Sequence, residues 1–121
     1  MFRFTVDQFS ELSATFEQQW LARLAQDFRA RFPQVAGMQH SELQQRLHAD
    51  LGQLREFALR SDSTLCRMLE WTIVLGPAFW KEPRYSWVRS ILAHLDRGER
   101  ERVGLIDGQL TLAAAGDHAE S

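Results

Sequence analysis

A single cysteine, Cys66, excludes an internal disulfide and any cysteine-rich zinc site, and it suits a reducing compartment. Net charge is nearly absent as well: fourteen Lys and Arg against sixteen Asp and Glu leave −2. That balance argues against a nucleic-acid binder, which needs a basic field to displace counterions. No apolar run approaches the roughly 20 residues that cross a bilayer. The start, Met-Phe-Arg-Phe-Thr-Val-Asp, brings in an acid early and does not read as a signal peptide. Cytoplasmic localisation, no membrane association and no nucleic acid are therefore expected. The seven glycines are scattered and form no phosphate loop. No Gly-x-Ser-x-Gly elbow is present, and His40, His48, His94 and His118 match no metal-ligand spacing. These readings predict no cofactor, no metal and no enzyme.

What remains is the material of a helical domain. Hydrophobic residues make up 45% and charged ones 25% of the 121 residues, enough for a core without a disulfide or metal staple. Thr5-Val6-Asp7-Gln8 has capping-box spacing and opens a first helix that Pro33 stops. Its apolar positions Phe9, Leu12, Phe16, Trp20, Leu24, Phe28 and Phe32 recur mostly every four residues. Such a stripe winds around the helix and requires either several partner helices or a partner from outside the chain. At about 1.5 Å per residue this helix is roughly 40 Å long.

Ser41-Glu42-Leu43-Gln44 repeats the capping box, and Leu43, Leu47, Leu51, Leu54 and Ala58 form the face of a second helix. Gly52 within it is expected to mark close packing. A third helix, capped by Arg60-Ser61-Asp62-Ser63, is apolar on most sides and is read as central. Gly76-Pro77 stops it, with Gly76 in a left-handed cap. Ser86 caps a fourth helix whose Trp87, Val88, Ile91, Leu92 and Leu95 face inward and which Gly98 ends. Asp107-Gly108 fits a type I′ turn, so Val103–Leu112 reads as a short hairpin, with an extra helix as the alternative. The fold class is all-α, four main helices in a compact bundle with a long N-terminal helix. Residues 1–112 form one domain and 113–121 a disordered tail.

Two features invite chemistry. Glu70 on the third helix needs a partner, Arg67 or Arg89, and an ion pair outweighs catalysis because no second acid stands at helical spacing. Cys66 reads as a small buried hydrophobe. Trp71, Phe79, Trp80, Tyr85 and Trp87 crowd around Leu75-Gly76-Pro77-Ala78-Phe79-Trp80. Trp71 and Trp87 are read as core where helices three and four cross. Phe79, Trp80, Arg84 and Tyr85 are read as a docking patch, because interface hot spots favour Trp, Tyr and Arg. Trp20 and Phe28 on helix one join them as protein-binding residues.

The run Arg55-x-Phe57-Ala58, Ser61-Asp62, Leu65-Cys66-x-Met68-Leu69, Val74-Leu75-Gly76-Pro77-x-Phe79, Glu82-Pro83, Trp87, Ile91-Leu92 resembles a family of small helical proteins. That family is encoded in bacterial type VI secretion effector clusters, beside PAAR or VgrG spike proteins and effector adaptors. The ending Arg31-Phe32-Pro33 of helix one is similar to the family's too. Leu59-Arg60 departs from its usual aromatic-Gly turn, and the hairpin-like tail from what is often a charged helix. The resemblance implies a co-chaperone that works with an adaptor to hold a toxin before it is loaded on the spike. The partner would be a type VI effector, its adaptor, or both, with self-association through helix one left open. The rivals are an immunity protein that blocks a toxin and, from another class, a small enzyme.

Overall fold

The computed structural model describes residues 6–120, with side chains described for 16–114. Among these the helices are α1 (Val6–Arg31), α2 (His40–Glu56), α3 (Asp62–Leu75), α4 (Ser86–Leu92) and α5 (Glu99–Glu120). Three-residue 3₁₀ turns occupy Pro33–Val35, Phe79–Lys81 and Pro83–Tyr85. The chain divides into two compact units, Met1–His48 and Ala49–Ser121, with the boundary inside α2. The described chain is all-α, with five α-helices in place of four.

In the first unit, α1 ends one residue before the extended Phe32 (φ −111°, ψ 114°), the geometry that Pro33 imposes on its predecessor. The buried stripe of α1 is Leu21, Ala25 and Phe28, at steps of four and three. The four-step aromatic stripe does not define that face: Trp20, Leu24 and Phe32 are half-buried and Phe16 is 62% exposed. A straight seam needs alternating steps of three and four, and Leu21 and Ala25 supply it. The Thr5 cap and the side chains of Phe9 and Leu12 lie outside the described residues. Arg31 closes the helix end, paired with Asp27 at 2.7 Å and set 5.5 and 5.1 Å from the ring centres of Phe28 and Phe32.

α2 begins at His40, with the Leu43 N–H donating to the Gln39 carbonyl, so Ser41 lies inside the first turn and does not cap it. Leu43, Leu47, Leu51 and Leu54 are fully buried, as their spacing predicts. Ala58 is not on that face. It lies past the helix end at φ +61°, where Leu59 N–H reaches Leu54 O and Ala58 N–H reaches Arg55 O. This is a Schellman ending with alanine at the left-handed position and the buried Leu54 and Leu59 beside it. Gly52 is exposed, and a Cβ there would meet nothing within 4 Å, so close packing does not account for it.

In the second unit, α3 buries Thr64, Leu65, Met68, Leu69, Thr72 and Ile73. The helix is not enclosed on every side as a central helix would be: Arg67 and Val74 are exposed, and Cys66, Glu70 and Trp71 are half-buried. Gly76 ends it at φ 112°, ψ 158°, a glycine region outside the left-handed helical well. α4 is shorter than expected: it stops at Leu92, Ser86 is its first residue and not its cap, and Leu95 is 63% exposed. The hairpin is replaced by α5, which packs against both α3 and α4. It continues to Glu120, into the segment 113–121 expected as a tail; side chains from 115 on lie outside the described residues. Val103, Ile106 and Leu110 are its buried seam, at steps of three and four. That helical period overrides the local turn preference of Asp107-Gly108.

Two substitutions separate these backbone effects. Gly52→Ala removes excess unfolded-state freedom at an exposed helical site and is expected to stabilise by about 1 kcal/mol. Ala58→Gly relieves the left-handed alanine and is expected to stabilise by a similar amount. Urea unfolding checks both; a loss of stability in Ala58→Gly would refute this helix ending.

Candidate functional site

The aromatic cluster after α3 is built inward. Ala78, at φ 48° and ψ 43°, turns the chain back after Pro77, and the following 3₁₀ turn buries Phe79 at 0% and Trp80 at 2% exposure. Phe79 meets Trp80 and Tyr85 edge-on, at 5.4 and 5.3 Å between ring centres. Phe79, Trp80 and the equally buried Phe28 thus offer little surface to a partner. The physical reason is area: rings this large stabilise the fold most when enclosed. Of the remaining expected residues, Arg84 is exposed and occupied by Glu82 at 2.9 Å, with its guanidinium 4.9 Å from the Tyr85 ring centre. Tyr85 and Trp20 are half-buried. The structure brings Phe79, Trp80, Arg84 and Tyr85 together, but as a core with one charged edge.

Trp71 and Trp87 are half-buried, and α5 lies against both helices that they were expected to join. Trp71 Nε1–H donates to Asp107 Oδ1 at 2.9 Å, and Arg67 Nε donates to the same oxygen at 2.6 Å. Asp107, expected in a turn, is therefore the acceptor that holds α5 to α3. Its hydrogen bond is the main cause raising the Arg67 pKa above its ordinary value, so that guanidinium stays charged. Glu70 takes Arg67 as its ion partner at 3.3 Å, while Arg89 stands elsewhere on α4. Cys66 is half-buried, not enclosed, and its Sγ lies 3.6 Å from Glu70 Oε1. A carboxylate neighbour is the opposite of the electropositive setting that a nucleophilic thiolate needs.

The first turn of α5 holds the residues that sequence reasoning missed. Glu99 Oε1 accepts from Ser61 N–H at 2.7 Å and from Thr64 Oγ1 at 2.7 Å, and Oε2 accepts from Arg60 N–H at 3.2 Å. It does the work expected of a cap from the run Arg60-Ser61-Asp62-Ser63, where the Ser61 side chain makes no capping hydrogen bond. Arg102, 3% exposed, donates from Nη1 to the carbonyls of Phe57 and Leu92, both at 2.6 Å, and from Nε to Arg97 O at 3.0 Å. A cation thus sits at the carbonyl ends of α2 and α4, and an anion at the amide end of α3. The only sequence signal was the charged run Glu99-Arg100-Glu101-Arg102, which also suits a solvated helix face.

Exposed apolar side chains occur elsewhere. Between α4 and α5, Ser90, Ile91, His94, Arg97 and Leu105 line a groove of about 250 Å³ whose wall is mostly apolar. Leu95 follows at 63% exposure, and Leu105 and Leu112, seven apart on one face of α5, are 40% and 67% exposed. His48 and His94 are exposed and near Glu17 and Asp96, at 3.9 and 3.7 Å. Among the described residues, no group of three His, Cys, Asp or Glu side chains could hold a metal, and no helix is long and apolar enough to cross a membrane.

Two outcomes follow from this geometry. Trp80→Ala leaves a large cavity and is expected to destabilise by roughly 3–5 kcal/mol; an unchanged thermal midpoint would return Trp80 to the surface. The Thr64 and Ser61 hydrogen bonds, then Arg60 N–H and the charge of Arg102, hold the Glu99 carboxyl below its ordinary range. Its contribution is fully present above its unfolded pKa of about 4.3 and is lost as pH falls through the lower folded value. Glu99→Gln should therefore flatten the acid limb of a stability-against-pH curve from urea unfolding. An acid limb identical to the parent's would refute this assignment.

Comparison with protein-family models, with curated proteins and with solved structures finds no match to this chain.

Proposed function

We propose that this chain is a protein-binding accessory factor of the type VI effector-cluster kind, a cytoplasmic co-chaperone that covers apolar surface on an effector or its adaptor. The observation that carries the reading is the α4–α5 groove, with Ile91 and Leu105 in its wall and Leu95 and Leu112 exposed on the same two-helix region. Its rim, Ser90, His94 and Arg97, is polar, with Arg97 already paired to Glu101 at 3.2 Å and His94 near Asp96. The occupant that fits is an amphipathic helix, apolar on one face and polar on the other. Burying a leucine contributes about 1.5–3 kcal/mol, so Leu105 and Leu112 suffice as anchors for such a helix.

The resemblance to the type VI accessory proteins names the partner class. The helical α5 supports it, since a charged helix is what the resemblance expects after the fourth helix, and Glu99–Arg102 opens one. The docking residues shift from the buried Phe79 and Trp80 to the groove. Arg84 and Tyr85 stay near the surface of the second unit as secondary contacts.

Co-expression with the products of neighbouring genes, followed by affinity capture, tests the reading. Recovery of an adaptor, alone or with its effector, is expected. Leu105→Asp should reduce that recovery about tenfold or more while leaving the far-UV circular dichroism unchanged. Recovery of a toxin alone, with its activity abolished, would make the chain an immunity protein. Capture that Leu105→Asp leaves intact would move the interface off the groove.

A further inference from the structure

A second pocket in the Ala49–Ser121 unit shares no lining residue with the apolar groove. It is bounded by Gln53, Glu56 and Phe57 at the end of α2, Trp80 and Lys81 in the 3₁₀ turn, and Arg89 on α4, and it encloses about 230 Å³. The pieces arrive by separate local causes. Glu56 and Phe57 follow Gln53 by three and four residues, so both neighbour it at the end of α2. The left-handed Ala78 sets the turn that buries Trp80 and leaves Lys81 outside.

Three observations define the chemistry. Lys81 and Arg89 are exposed, and among the described residues neither side chain makes a hydrogen bond or ion pair. Gln53 Oε1 is enclosed without a hydrogen-bond partner. That oxygen has almost no accessible surface, so the half-buried Gln53 side chain turns toward the pocket to meet a donor brought by a ligand. The two cations and the Glu56 carboxylate leave the lining with one positive charge, which a monoanion neutralises and a phosphate dianion overshoots. Phe57 and the edge of Trp80 add an apolar wall.

We infer that the Gln53–Lys81–Arg89 pocket binds a peptide carboxylate together with the backbone N–H beside it. The carboxylate lies between the Lys81 ammonium and the Arg89 guanidinium, and the adjacent N–H donates to Gln53 Oε1. Phe57 and Trp80 flank the aliphatic part of the same residue. A free C-terminus and an acidic side chain both offer this pairing. The site stands independently of the α4–α5 groove, and Leu105→Asp leaves it unaltered.

Titration of the full-length, 15N-labelled chain with three short peptides tests this. The first is acetyl-Gly-Ser-Gly-Leu with a free carboxylate, the second its C-terminal amide, and the third the amide with Glu in place of the second Gly. A saturable shift of the Gln53 side-chain amide resonance is expected with the first and absent with the second. Binding of the third assigns an acidic side chain as a further source; its failure restricts the site to C-termini. Arg89→Gln should weaken binding about tenfold or more, and Lys81→Gln with Arg89→Gln should abolish it. Both positions are exposed, so an unchanged thermal midpoint shows that the variants fold. No saturable shift with any peptide, equal binding of the neutral amide, undiminished binding by the double variant, or tighter binding of inorganic phosphate would each overturn the assignment.

Discussion

The second unit depends on the electrostatics of one helical turn. Arg102 is buried, and its guanidinium donates to three carbonyl oxygens, those of Phe57, Leu92 and Arg97. A guanidinium with five donors in a fixed plane can serve several acceptors at once, and the carbonyl ends of helices are where acceptors go unused. Three residues earlier, Glu99 serves the opposite need at the start of α3. One turn of α5 thus satisfies the ends of three other helices. Without it, α2, α3 and α4 would each leave polar backbone groups enclosed or frayed.

Fixing α5 in this way determines which surfaces face outward. With Val103, Ile106 and Leu110 buried and Asp107 bound to Arg67 and Trp71, the opposite face of α5 must carry Leu105 and Leu112. The aromatic turn is likewise committed: Phe79 and Trp80 fill the core, and Lys81 is left at the rim of a separate pocket. The groove and the carboxylate pocket therefore follow from the same packing. One offers apolar area and the other charge, the two kinds of contact from which a protein-recognition surface is made.

The local elements were legible. Pro33 and Gly76 stop helices because their backbones allow little else, and Leu43, Leu47, Leu51 and Leu54 lie on one face at any reading of a 3.6-residue period. The aromatic knot was visible as a cluster, but its orientation was not. Phe79 and Trp80 next to a glycine-proline stop suit either a loop tip or a buried turn, and left-handed geometry at Ala78 decides for burial. In α1 the large rings drew attention from Leu21 and Ala25, the residues that make the straight seam.

The sequence by itself determined the all-α class, the stops near residues 32 and 76 and the leucine face of α2, because those depend on neighbours within a turn or two. Tertiary structure alone decided that Val103–Leu112 is helical. Asp107-Gly108 favours a turn in isolation, and each glycine in a helix costs about 1 kcal/mol. Burial of Val103, Ile106 and Leu110 and the bonds from Arg67 and Trp71 to Asp107 outweigh that preference. Glu99 meets Ser61 and Arg102 meets Phe57 across separations of 38 and 45 residues. No periodicity encodes such pairs, so only the folded chain reveals that a charged run is the joint between its helices.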